Sequence, residues 1–152
     1  MIISNHMKRN VVSILESSTI REAAALLVKH HIGLLPIVDH ENRLVGEVGL
    51  RDLLSLELPD FINFVADVDF VHDFGAVETT RPSEQTLESQ ITTMMKPAIS
   101  VTEDSGLLRT YALMLQHNLH DMPVVSMEGK LVGVASRVDI GIAILAEWGK
   151  VD

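Results

Sequence analysis

Most of the chain is written twice. The segment Leu44-Val45-Gly46-Glu47-Val48-Gly49-Leu50-Arg51-Asp52 returns 87 positions later as Leu131-Val132-Gly133-Val134-Ala135-Ser136-Arg137-Val138-Asp139. The same offset carries Pro36 onto Pro123, Val38 onto Val125, His30 onto His117, Leu26 onto Leu113 and Glu16 onto Glu103, with no gap from Val11 to Leu54. Met7 falls on Met94 at this offset. A repeat of this length constrains the fold strongly, because each copy must form the same supersecondary unit and the copies must bury their apolar faces together.

Within the first copy, residues 11–15 read as a strand. Thr19-x-x-Glu22 has the form of a capping box, and Ile20, Ala23, Ala24, Leu27 and His31 follow at helical spacing. Gly33 is the predicted helix C-cap. His30 and His31 lie beside this stripe and read as packed or surface histidines. Residues 35–39 and 44–48 read as paired strands joined by the polar turn His40-Glu41-Asn42-Arg43. Arg51 and Asp52 then open a helix carrying Leu53, Leu54 and Leu56.

In the second copy, the strands are expected at 98–102, 122–125 and 131–135, with Leu108, Tyr111, Ala112 and Leu115 as the helix stripe. The last helix is predicted over 137–148. Its Val138, Ile142 and Leu145 spacing leaves an apolar face suited to a dimer surface.

The chemistry concentrates where each copy passes from strand to helix. A helix N-terminus has unpaired N–H groups and a partial positive charge, and so holds anions such as phosphate. Asp139 in the first turn can accept hydrogen bonds from two vicinal hydroxyls. Together these suit a ribose phosphate. Ser136-x-x-Asp139 also reads as a capping box with Asp in place of Glu or Gln.

The segment from about 58 to 90 is not repeated. Phe61, Phe64, Val65, Val68 and Val71 recur at helical spacing, Gly75 can end that helix, and Phe70 and Phe74 fall on its other side. An element apolar on two sides is expected to cover a neighbouring element or a partner subunit. Asp69, His72 and Asp73 share one helix face, which admits a metal reading and with it a metal-dependent hydrolase; a buried or interface histidine beside two solvated acids is the alternative. Arg81-Pro82-Ser83 marks a loop, and Leu87, Ile91, Met94 and Met95 lead into the second copy. The expected organisation is repeat 1 over 1–57, a helical insert over 58–90 and repeat 2 over 91–152.

Composition narrows the function classes. A net charge of −9 argues against nucleic acid as a partner, because that affinity comes largely from Lys and Arg on phosphates. With 4% aromatic residues there is little for a stacking platform on single strands. The chain has no cysteine, which excludes disulfides, thiolate zinc sites and Cys nucleophiles. No leader-like segment and no bilayer-length apolar run is found, so a cytoplasmic protein without a membrane partner is expected. No P-loop, dinucleotide fingerprint or nucleophile motif is present. Lys8 and Arg9 can reach a phosphate or remain solvated.

The Met before each first strand (Met7, Met94), the strands Leu35-Pro36-Ile37-Val38 and Met122-Pro123-Val124-Val125, and the Gly-x-x-Ser/Thr-x-x-Asp turn carry a resemblance. Each copy resembles a cystathionine-β-synthase (CBS) domain, and the two together resemble the tandem pair called a Bateman module. The resemblance implies a mixed α/β fold of two β-α-β-β-α repeats packed as a pseudo-two-fold pair, with two clefts that commonly bind adenosine compounds. It implies a ligand-sensing regulatory module rather than an enzyme, with no tightly bound cofactor. Its ligand would be AMP, ADP, ATP or S-adenosylmethionine. It also implies a homodimer and an unidentified regulated protein. Carried over by position, Asp139 would hold ribose and Ser136 phosphate, while Ala98, Ile99, Met122 and Pro123 would line the base pocket. Arg137 is a candidate phosphate partner. His120 and Asp121 precede the second-strand Pro, where a basic residue meets phosphate in some members; Asp121 there would repel an unscreened phosphate. In the first copy Gly49 replaces the hydroxyl residue, so the Asp52 site should be weaker, with Arg51 partly compensating. A structural pairing domain with vestigial clefts is the competing reading.

Overall fold

The computed structural model describes residues 1–56 and 81–150. The first unit contains β1 (Ile14–Leu15), α1 (Ile20–His30), β2 (Leu34–Val38), β3 (Leu44–Gly49) and α2 (Leu50–Leu54). The short helix α3 (Glu84–Leu87) precedes the second unit, which contains β4 (Val101–Thr102), α4 (Leu107–Gln116), β5 (Asp121–Val125), β6 (Leu131–Ser136) and α5 (Arg137–Trp148). The result is a mixed α/β fold with two three-stranded sheets, ordered β1-β2-β3 and β4-β5-β6.

The repeat holds at the level of backbone register. In each unit the first strand runs parallel to the second, which is antiparallel to the third. Ile14 pairs with Ile37 as Val101 pairs with Val124, and the ladder shifts between Ile37 and Val38 as it does between Val124 and Val125. The connecting turns bond to each other reciprocally: Leu44 N–H donates to Gly129 O (3.1 Å) and Leu131 N–H to Asn42 O (3.0 Å). Asn42 (φ 64°) and Gly129 (φ 83°), the left-handed residues of these turns, occupy the same position in the two copies.

The lead-in segments cross between units. Ile3 is fully buried in the core of the second unit, with Val101, Met122 and Ile140, whereas Ile91 is fully buried in the core of the first, with Ile20, Leu35 and Val48. Burying an isoleucine this completely contributes roughly 2 kcal/mol, so each lead-in is anchored on the opposite copy. Lys8 and Val134 exchange backbone hydrogen bonds of 2.8 and 2.9 Å, as Lys96 and Glu47 do at 3.0 and 2.9 Å. Met7 accordingly lies against Gly133, and Met95 against Gly46. The structural counterpart of Met7 is therefore Met95, not Met94: the lead-ins follow an offset of 88, one residue beyond that of the units.

Three local expectations are corrected. The first strands are two residues long, Ile14–Leu15 and Val101–Thr102, because only these residues find ladder partners on β2 and β5. The residue that ends α1 is His31 in the left-handed region (φ 51°), its N–H bonded to Leu27 O, rather than Gly33. On α4 the buried stripe is Leu107, Thr110 and Met114, while Leu108 is 71% and Leu115 54% exposed. The buried set falls 87 positions after Ile20, Ala23 and Leu27, the buried stripe of α1.

The insert helix expected around Phe61 to Val71 lies outside the described residues, as do Gly75 and the Asp69, His72 and Asp73 cluster. The adjoining α3 is tied to α1 by ion pairs from Arg21 to Glu84 and Glu88.

Candidate functional site

The strand-to-helix turn of the second unit has reciprocal cap geometry. β6 delivers Ser136 in extended backbone (φ −86°, ψ 161°), and α5 begins at the next residue. Ser136 Oγ accepts from Asp139 N–H (3.0 Å), and Asp139 Oδ2 accepts from Ser136 N–H (3.1 Å). Two of the helix's unpaired donors are thus satisfied locally. In the first unit Asp52 Oδ2 accepts from Gly49 N–H (2.7 Å), but Gly49 offers no oxygen in return. Each turn carboxylate also meets a lysine from a lead-in. Lys8 Nζ is 3.8 Å from Asp139 Oδ2, and Lys96 Nζ is 3.0 Å from Asp52 Oδ2.

Two clefts open where the units meet. The first, about 320 Å³, brings Ser136, Asp139 and Asp121 of the second unit together with Val11, Val12 and Pro36 of the first. Lys8, Asn10, Val134 and the segment His31–Leu34 complete its wall. The second, about 420 Å³, is lined among others by Gly49, Arg51, Lys96, His117, His120 and Asp121. Gly33, Leu34 and Asp121 line both, so they mark the seam between the clefts.

The base-pocket residues carried over from the resemblance do not share the Asp139 cleft. Met122 and Pro123 are fully buried on β5 of the second sheet, Ile99 packs against the core of that unit, and Ala98 is half-buried outside the cleft lining. Their first-copy counterparts Val11, Val12 and Pro36 face Asp139 instead. The reason is the packing of the units: the Ser136–Asp139 turn of the second copy faces the strand entry of the first. The residues beside Asp139 therefore stand one repeat offset before those carried over from the resemblance.

Arg137 is directed away from the first cleft. Its Nε donates to Leu119 O and its Nη2 to Asn118 Oδ1 (3.2 Å), fastening the loop before β5. His120 and Arg51 line the second cleft, whereas Asp52 holds the helix cap and Lys96. His31 joins the first cleft although its sequence context suggested only a packed or surface role. Lys8 lines that cleft too, while Arg9 bonds Ser4 O at 3.0 Å.

Two carboxyls feel their burial. Asp121 is raised above the usual carboxylate range by desolvation, with His120 and Lys8 opposing and Asp139 adding to the rise. Glu47, almost wholly buried on β3, is raised by desolvation against the pull of Lys96, with Asp52 adding to it. Among the described residues no group of three or more His, Asp and Glu side chains is placed to hold a metal ion. Among the same residues no helix is long and apolar enough to cross a membrane.

The CBS domain matches this sequence at residues 3–58 and again at 89–145. The chain belongs to the CBS domain family. Both matches include the lead-in that crosses to the other unit, and together they form a CBS pair. CBSX2, a chloroplastic CBS domain-containing protein of Arabidopsis thaliana, is 30% identical over 145 residues, covering 91% of this chain and 60% of CBSX2. An uncharacterised 17.7 kDa protein of Acidianus ambivalens is 27% identical over 127 residues, covering 84% of this chain and 63% of the relative. The chain thus spans less than two thirds of these relatives' lengths. The crystal structure of CBSX2 in complex with AMP superposes with a TM-score of 0.72 at 25% identity, covering 96% of this chain and 97% of that one. The CBS pair of protein MJ0100, in complex with 5′-methylthioadenosine and S-adenosyl-L-methionine, shares the fold at a TM-score of 0.66 and 21% identity, over 97% and 98% of the two chains.

Proposed function

We propose that this CBS pair is a ligand-sensing regulatory module whose first cleft takes an adenosine compound, of the class of AMP or S-adenosylmethionine. The observation that carries the reading is the cleft in which Asp139 and Ser136 of one copy face Val11, Val12 and Pro36 of the other. An apolar wall opposite a carboxylate suits a nucleoside: the base against the valines and proline, the ribose hydroxyls on Asp139. Ser136, at the N-cap of the twelve-residue α5, lies where a phosphate or another polar 5′ group follows the ribose. CBSX2 binds AMP and MJ0100 binds adenosyl sulfur compounds, and the present chain carries the same fold.

In the second cleft, Gly49 supplies no hydroxyl and Lys96 sits on Asp52. We read it as the weaker nucleoside site, with Arg51 and His120 on its wall. Val138, Ile142, Leu145 and Trp148 on α5 are each at least half exposed, which supports a homodimer through this face. The output of the module is a change in whatever protein it contacts, not turnover of the ligand.

A thermal-shift panel of AMP, ADP, ATP, S-adenosylmethionine and NADH, each with and without magnesium, tests the reading. A true ligand at a hundred times its Kd stabilises the fold by about 2.7 kcal/mol, a rise of roughly 5–10 °C in Tm for a chain of this size. No rise with any of them would favour a pairing domain with vestigial clefts.

A further inference from the structure

Asp121 opens β5, paired with Ser136 across the sheet, and the corresponding residue of the first unit is Leu34, paired with Gly49. These two residues meet at the seam, and both line both clefts. The pseudo-two-fold is therefore broken at its centre: one side presents an aliphatic chain and the other a carboxylate. We propose that Asp121 sets the charge selectivity of the pair, favouring adenosine compounds with little negative charge and turning away polyphosphates. The inference rests on the adenosine reading above and adds to it the class of ligand.

The balance of charge in the first cleft supports it. Its ionisable lining consists of Lys8, His31, Asp121 and Asp139, and Lys8 already lies 3.8 Å from Asp139. A neutral nucleoside loses nothing here, and a single phosphate has one lysine to share. A triphosphate brings several negative charges into a cleft with more carboxylates than lysines. The second cleft is richer in basic groups, with Arg51, Lys96, His117 and His120, yet Lys96 is engaged by Asp52 at 3.0 Å and Asp121 closes the same seam. Each negative charge brought within roughly 7 Å of a partly screened carboxylate weakens binding on the order of tenfold.

The test is calorimetric titration of the full chain with adenosine, AMP and magnesium-free ATP, comparing wild type with Asp121→Asn. The readout is the ratio of the ATP Kd to the adenosine Kd. The proposal expects that ratio to fall on the order of tenfold or more in the variant. Asp121→Leu, which copies the residue the first unit carries at this position, should lower it similarly and serves if the amide variant folds poorly. The Tm of each free variant reports whether it is folded, and an unchanged ratio in a variant that keeps the wild-type Tm overturns the proposal while leaving the adenosine reading standing. Failure of the wild type to bind adenosine or AMP at all would overturn both.

Discussion

Lys8 and Asp139 belong to different copies of the repeat, yet the ammonium of one stands 3.8 Å from the carboxylate of the other. Lys96 and Asp52 repeat the relationship at 3.0 Å with the copies exchanged. Neither pair is deeply buried, so each contributes under about 1 kcal/mol to stability. Their importance is positional. Because each lead-in crosses to the opposite unit, it places a cation on that unit's turn carboxylate and beside a cleft. The clefts are thus properties of the pair and not of either copy.

The glycines under the crossing methionines should tolerate a methyl group unequally. The nearest atoms that a Cβ on Gly133 would meet all belong to the side chain of Met7, whose flexible thioether can move. A Cβ on Gly46 would meet Met95 and also, at 2.9 Å, the backbone oxygen of Lys96, which is held in the ladder to Glu47. Gly46→Ala is expected to destabilise by about 1–3 kcal/mol and Gly133→Ala by less, measured by urea denaturation. Equal losses would contradict the asymmetry.

Restoring the missing hydroxyl is a gain-of-function test. Gly49 has φ −110°, open to any residue, and a Cβ there comes no closer than 3.3 Å to Asp52 Oδ2 and 3.4 Å to Gly33 O. A serine can cap α2 as Ser136 caps α5, a change of only a few tenths of a kcal/mol relative to glycine. Gly49→Ser should therefore fold with nearly unchanged stability and tighten adenosine binding at the second cleft, seen as a higher measured stoichiometry at a fixed ligand concentration.

Glu47 predicts a pH dependence. Its carboxyl titrates above the ordinary value of 4.5 in the folded state because it is desolvated. The folded state then holds more protons than the unfolded state between that value and the raised one. Stability contributed by this group is present at low pH and is lost as pH rises through the window. Glu47→Gln removes the charge and keeps the shape. The stability of the variant relative to wild type should increase from pH 4 to pH 7 in chemical denaturation; a difference independent of pH would contradict this.

Much of this architecture was legible in the repeat. The offset of 87 gave the paired strands, both turns and the last helix, and it marks the buried face of α4 through its match to Ile20, Ala23 and Leu27. What a single copy could not reveal was which unit each segment packs against. Nothing in the spacing of Ile3 or Met7 says that they belong to the second core, because crossing is a choice made by the assembled pair. For the same reason Ala98 and Ile99 looked like neighbours of Asp139, when Val11 and Val12 occupy that place. Arg137 was equally hard to read: its backbone amide bonds His120 O and its guanidinium holds Leu119 and Asn118, contacts set by a loop whose path the sequence does not encode locally.

In the proposed function an adenosine ligand sits on Asp139, in the cleft the two copies share. The most direct test of this is calorimetric titration of AMP into wild type, Asp139→Ala and Asp52→Ala, with the Tm of each free protein as the control for loss of the helix cap. Asp139→Ala is expected to weaken AMP binding by about tenfold or more, as follows from losing charge-assisted hydrogen bonds to ribose, and Asp52→Ala to have the smaller effect. Unchanged AMP affinity in a folded Asp139→Ala protein would contradict it and leave Ser136 and Asp139 as a helix cap alone.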